Sequence, residues 1–279
     1  MSNLGIAWTI AKKDMKGITS NIQVWFPMVI IPILIGILFP GGLVVAANFF
    51  DSGQIAQGKE DYLLNLVEKM KGTSLYMALK NFSTLNQQVV YFVVNYLFIS
   101  LFILIPVMTS SVVSANSFVG EKERKTLESL LMAPIEIRTL FLGKLLSAFI
   151  PTMAITLGTF LLYGIVVNAA AYPMFGSLIF PTGNWFILIF WLIPILSICI
   201  IFLNVIISAR VKTFQEAYQL GGMVVLPILL LMASQLTGFL FLNGWVLFLM
   251  GGILLAVNLW LLQVISKWND RVVLTERQI

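Results

Sequence analysis

Apolar residues run through this chain in long blocks separated by short charged segments. Four stretches hold no Asp, Glu, Lys or Arg: Gly17–Phe50, Asn81–Gly120, Leu145–Ala209 and Ala217–Ser266. A membrane-crossing helix needs about 20 predominantly apolar residues. The first two stretches hold one span each. The third is interrupted by Asn168, Pro173, Gly176 and Pro181-Thr182-Gly183-Asn184, and the fourth around Gly238 and Asn243-Gly244, so each holds two. The pattern predicts an all-α integral membrane protein, one domain over 1–279, with six transmembrane helices at 24–47, 89–114, 140–167, 185–208, 218–239 and 245–265. No cleaved leader is expected, because a lysine-bearing amphipathic stretch over 1–23 precedes the first apolar run. There Leu4, Trp8, Ala11, Met15 and Ile18 draw one apolar stripe flanked by Lys12, Lys13 and Lys16, the pattern of a helix lying in the headgroup plane.

Two polar segments stand out between the spans. The first, 48–88, is external and has helical spacing over Ile55–Lys71 with balanced charges; at about 40 residues it is too small for a core of its own. The second, Phe118–Lys144, is the densest charge cluster. Phe118–Met132 fits a short helix, separate from the span ending near Ser114, with Glu121, Lys125 and Glu128 on one face and Leu127, Leu130 and Leu131 as an apolar ridge. Pro134 ends it, and a new helical pattern starts near Ile135. Such a knuckle, roughly 22 Å long at 1.5 Å per residue, is open to two readings: a solvated connection, or a surface that receives force from a soluble partner.

Composition narrows the function. The 279 residues are 59% hydrophobic and 10% charged, against about 25% charged in soluble domains. There is no histidine, and the one cysteine, Cys199, excludes an intramolecular disulfide. The net charge of +5 is spread unevenly. With both termini cytoplasmic, the inner segments collect Lys12, Lys13, Lys16, Lys122, Arg124, Lys125, Arg138, Lys144, Arg210, Lys212, Lys267, Arg271 and Arg277, whereas the outer segment holds four lysines offset by four acids. That asymmetry predicts a multi-pass cell-membrane protein of prokaryotic type with cytoplasmic termini, in contact with anionic lipid and not with nucleic acid.

The chemistry that is missing is equally informative. No G-x-x-x-x-G-K-[ST] loop occurs, since Gly143-Lys144 is followed by Leu145 and preceded at the required position by Arg138. A charge at mid-membrane costs about 2.5–3.5 kcal/mol and is retained only for function. None is expected here, Lys144 being placed to snorkel from the end of span three. Without histidine or an intramembrane acid, no nucleophile–base pair or metal cluster can be assembled, so the chain is read as no enzyme. A separate motor acting on the charged knuckle fits these absences. A stand-alone carrier or channel, with sodium held by hydroxyls and carbonyls, and a membrane scaffold stay open beside it.

Gly120-Glu121-Lys122-Glu123-Arg124-Lys125-Thr126-Leu127-Glu128-Ser129-Leu130-Leu131-Met132-Ala133-Pro134, continued by Arg138 and Leu142-Gly143-Lys144, resembles the signature after the second span of permeases of type-2 ATP-binding-cassette exporters. Lys125 stands where that family often has glycine. Ile10-Ala11-Lys12-Lys13-Asp14, the proline-rich first span and Thr213-Phe214-Gln215-Glu216-Ala217 agree more loosely. The resemblance implies a half-transporter: two permease chains, identical or sister subunits, docked on two ATPase subunits that carry the ATP and Mg, with no cofactor on this chain. It implies a cytoplasmic coupling helix within 117–138, with Glu121, Glu123, Arg124, Leu127, Glu128 and Leu131 against the ATPase and Lys12, Lys13 and Lys16 beside them. Polar residues of spans two and five, Asn95, Ser100, Thr109, Ser234 and Gln235, are the candidates for a substrate pathway; the alternative is that they glue helices together. The exported substrate would be a drug-like or amphipathic compound, a peptide or sodium.

Overall fold

The computed structural model describes residues 3–49, 74–123 and 136–267. Most of the external segment, and Arg124, Leu127, Glu128 and Leu131, lie outside the described residues. Among those described, six helices are long and apolar enough to cross a membrane: Val24–Phe49, Leu85–Glu123, Ile137–Phe175, Gly183–Ser208, Phe214–Leu236 and Gly244–Ser266. They are spans one to six here. An N-terminal helix, α1 (Asn3–Ser20), precedes them.

Span two is the centre of the bundle. It packs against spans one, three, four and five. Its apolar stretch is 67% buried, against 17% and 22% for spans five and six, which turn Leu226, Leu230, Ile253 and Trp260 outward. The main core joins Phe98, Ile99, Phe102 and Ile105 of span two to Tyr163 and Val167 of span three and Trp185, Leu188 and Ile189 of span four.

Among the described residues, four π-turns interrupt the helices: Leu34–Leu38, Val93–Leu97, Asn116–Gly120 and Leu188–Leu192. Two stand just before a proline, Pro40 and Pro194. A proline ring inside a helix clashes with the carbonyl four residues back. The wider turn relieves that clash while the chain stays helical, with the Phe39 amide bonding the Leu34 carbonyl and the Ile193 amide that of Leu188. In the proline-rich first span this accommodates Pro40, while Pro27 and Pro32 lie within a continuous α-helical segment.

Two expectations about the helices need correction. The break between span two and the charged helix does not occur: the chain stays helical from Leu85 to Glu123, the π-turn at Asn116–Gly120 carrying it past Ser114 and Gly120. Asn168 and Pro173 do not end span three, which continues to Phe175 and stops at Gly176, in the left-handed region at φ 64°. Asn168 instead folds the following loop back onto its own helix, donating to the Phe180 carbonyl at 2.8 Å and accepting the Ile179 and Phe180 amides at 3.1 and 3.2 Å. The apolar stripe of α1 is shared between two surfaces: Ala11 and Ile18 are buried together with Ala7, while Leu4 and Trp8 are exposed.

Candidate functional site

The end of the bundle that carries α1 gathers the charges. α1 crosses the start of span three, and the crossing depends on small residues. A Cβ at Gly143 would lie 2.9 Å from the Ala7 carbonyl oxygen and 2.9 Å from the Ile10 Cβ. This close approach turns Lys13 and Asp14 towards the end of span two. The Ser117 hydroxyl donates to the Asp14 carboxylate at 2.9 Å, and the Lys13 ammonium donates to the Glu121 carboxylate at 3.2 Å.

Lys144 closes the cluster from span three. Its ammonium donates to the Ser117 carbonyl and to the second oxygen of Glu121. It also stands 4.0 Å from the Asp14 carboxylate and 5.3 Å from the centre of the Phe118 ring. Only 3% of its side chain is exposed, against 60% for Lys13. Lys144 therefore does not snorkel. Two carboxylates and a carbonyl offset the loss of water, the condition for burying an ammonium at all. For Lys13, burial works against the charged form, but the Glu121 and Asp14 carboxylates outweigh it and raise its pKa above the ordinary 10.5. A cleft of about 210 Å³ opens beside the cluster, between Lys13, Asp14 and Gly17 of α1 and Asn116, Ser117 and Glu121 of span two.

The same helix end also grips the turn between spans four and five. Lys122 donates to the Ser208 and Val211 carbonyls at 3.3 and 3.1 Å. Glu123 accepts the Phe214 amide at 2.9 Å. Each charge sits at the helix terminus that attracts it, the cation at the carbonyl end of span four and the anion at the amide end of span five. Thr213 caps that start, accepting the Glu216 amide at 3.3 Å. Ala115 and Val119 pack with Val211 and Ala217 beneath these bonds. Glu121, Lys122 and Glu123 thus tie span two to α1, to span three and to both helices of the four–five turn.

The profile of the ABC-2 family transporter protein matches residues 8–264. The chain belongs to the ABC-2 transporter family. No curated protein and no solved structure matches it. An ABC-2 permease is the transmembrane subunit of an ABC transporter and works with a separate ATPase.

In this ABC-2 permease Glu121, Glu123 and Lys13 come together at one end of the bundle, with Lys12 and Lys16 exposed on the neighbouring turns of α1. Asp14, Ser117, Lys122 and Lys144 belong to the same cluster and were not singled out from the sequence as site residues. One signal was available: Ala7, Ala11, Asp14 and Ile18 follow spacings of four, three and four, which places Asp14 on the small-residue face.

The pathway candidates of the ABC-2 permease do not converge on one site. The Gln235 amide donates to the Ser100 hydroxyl, joining spans five and two. Asn95 donates to the Tyr91 carbonyl of its own helix at 3.3 Å and to the Ile179 carbonyl of the three–four loop at 3.2 Å. Thr109 is buried in span two. Ser234 bonds back to Leu231 of its own helix at 2.7 Å. Ser100, Gln235 and Asn95 thus make contacts of the kind expected of helix–helix glue. Among the described residues, no group of three or more His, Cys, Asp or Glu side chains converges as a metal site.

Proposed function

We propose that this ABC-2 permease is one half of an exporter: two permease chains, identical or sister, docked on two ATPase subunits that bind ATP and Mg. The observation that carries this reading is the convergence at Glu121–Glu123. Three consecutive side chains bind α1, span three and the turn between spans four and five, so a displacement of the 124–135 connection reaches spans two to five at once. A stand-alone carrier has no need to gather so many helices on one connection outside the spans. The lysine-rich α1 end is the cytoplasmic side, as the charge asymmetry requires. Glu121, Glu123, Arg124, Leu127, Glu128 and Leu131, with Lys12, Lys13 and Lys16, form the surface offered to the ATPase. ATP closure of the ATPase pair biases the permease only through contacts that differ between its two states. The exported substrate belongs to a class that carries no obligatory buried charge partner within the spans: an amphipathic drug-like compound, a peptide or sodium. Asn95, Ser100, Thr109, Ser234 and Gln235 mark the spans that move around it.

The test is co-purification with an ATPase, followed by transport in inside-out vesicles. Tagged permease is expected to bring down the ATPase, and transport is expected to stop without ATP. Glu128→Ala, outside the tied end of span two, is expected to lower ATP-dependent transport while membrane insertion stays normal. Absence of an ATPase partner together with ATP-independent transport would return the chain to the ion-gradient carriers. Stimulation of ATPase activity by one compound or ion among the three classes identifies the substrate.

A further inference from the structure

Among the described residues Lys144, whose partner Asp14 has a side chain only 7% exposed, is the one charged residue buried as a whole. Filling its space would need no charge, and a lysine near a span end ordinarily extends to water. Instead, its ammonium is drawn inward to partners on two other elements: the Ser117 carbonyl and Glu121 carboxylate of span two, and the Asp14 carboxylate of α1. The carbonyl it takes lies within the π-turn Asn116–Gly120, a local departure from α-helix of the kind concentrated at functional positions. Lys144 follows the 124–135 connection in sequence, and Ser117 and Glu121 precede it. One ammonium therefore joins the two roots of that connection to each other and to α1.

We propose that Lys144 is a positioning residue for energy coupling. It locks both roots of the 124–135 connection and α1 into one body, so that a displacement imposed on the connection is delivered to spans two and three together. This rests on the reading that the connection meets an ATPase. Without the lock, the ATPase would still bind and turn over, but its movement would be absorbed between span two and span three. The Lys13–Glu121 pair cannot substitute, because it reaches α1 but not span three.

The experiment compares wild type, Lys144→Met and the neutralised pair Lys144→Met/Asp14→Asn in the complete complex with its ATPase. Lys144→Met alone leaves the Asp14 and Glu121 carboxylates sharing Lys13 and is expected to lower the amount of assembled complex. The double variant removes that imbalance. It is expected to assemble and hydrolyse ATP near the wild-type rate while transport per ATP falls about tenfold, towards the upper part of the range for changes that alter coupling without touching a ligand. A purely structural lysine would give the opposite result: a double variant that assembles and also transports per ATP as wild type does overturns the proposal.

A second measurement needs neither variant to fold. Spin labels at Leu4→Cys on α1 and Leu142→Cys on span three, both at exposed positions, read the distance across the lock; Cys199 is buried and stays unlabelled. The same distance is expected in nucleotide-free and ATP-bound complexes. A distance that changes with nucleotide overturns the proposal. If the wild-type chain carries no ATPase at all, the exporter reading itself has failed; if it does and only the variant or distance result goes the wrong way, Lys144 alone loses its role.

Discussion

Spans two and three are pinned together at two levels, and the two pins use the same backbone device with opposite chemistry. At the α1 end, the π-turn Asn116–Gly120 gives the Ser117 carbonyl to the Lys144 ammonium. At the far end, the π-turn Val93–Leu97 gives the Val94 carbonyl to the Tyr163 hydroxyl at 2.9 Å. Around the first pin stand carboxylates and a second lysine. Around the second stand aromatic rings, with Tyr163 packed 4.8 Å from Phe180, 5.0 Å from Trp185 and 6.1 Å from both Phe98 and Phe102. The difference follows from the surroundings. A charge network can exist only where water is near enough to share its cost, and it responds to whatever approaches. A neutral phenol in a dry aromatic cluster responds to nothing and holds position by packing.

The comparison can be broken in order of expected effect. Tyr163→Ala empties the centre of the aromatic cluster and is expected to cost about 3–5 kcal/mol, the range for large aromatic truncations, read as lost thermal stability of the purified protein. Tyr163→Phe keeps the rings but strands the buried Val94 carbonyl, at about 1–3 kcal/mol. If that variant is as stable as wild type, the phenol is no pin. At the α1 end, Gly143→Ala pushes a methyl into the Ala7 carbonyl and Ile10. Overpacking of this kind costs about 1–3 kcal/mol, and the expected readout is faster proteolysis of α1 with the far end unaffected. The smallest effect is titration of Lys13. Its folded pKa is raised, so its contribution is complete below the ordinary value of 10.5 and is lost as pH climbs through the higher folded value. Lys13 is therefore expected to add no pH dependence to stability through the neutral range. The alkaline fall above about 10.5 should be shallower in Lys13→Met. A pH dependence near neutrality that disappears in Lys13→Met would contradict the pairing.

These two pins also mark what could be read from the sequence. Six spans were legible because their signal is local: a run without charge has to be long enough to cross, whatever it packs against. The interruption at Gly238 was legible for the same reason, and the structure places that glycine at φ 72°. Asn168 was misread as a breaker because its role depends on the Phe180 carbonyl, which lies beyond the end of its own helix. The burial of Lys144 was not legible, since Asp14 and Glu121 are distant in sequence and nothing in Leu142-Gly143-Lys144 says that α1 will cover it. The π-turns of span two left no signal, since no proline stands one or two residues after them; each gives a carbonyl to a donor from span three, Tyr163 or Lys144. Glu121, Glu123 and Lys13 were drawn to one end by family resemblance, and their mutual contacts came only with the fold.

The spacing of the two pins has a mechanical consequence. Ser117 and Val94 are separated by about 35 Å of helix at 1.5 Å per residue, slightly more than the roughly 30 Å hydrocarbon thickness of a bilayer. A pair of spans clamped at two levels this far apart cannot shear or unwind between them without breaking one clamp. It can only tilt. With such an arm, a tilt of about ten degrees at one membrane face carries the opposite face sideways by roughly 6 Å, about one helical pitch. The spans thus act as a beam, and the widest excursion falls at the surface farthest from the push.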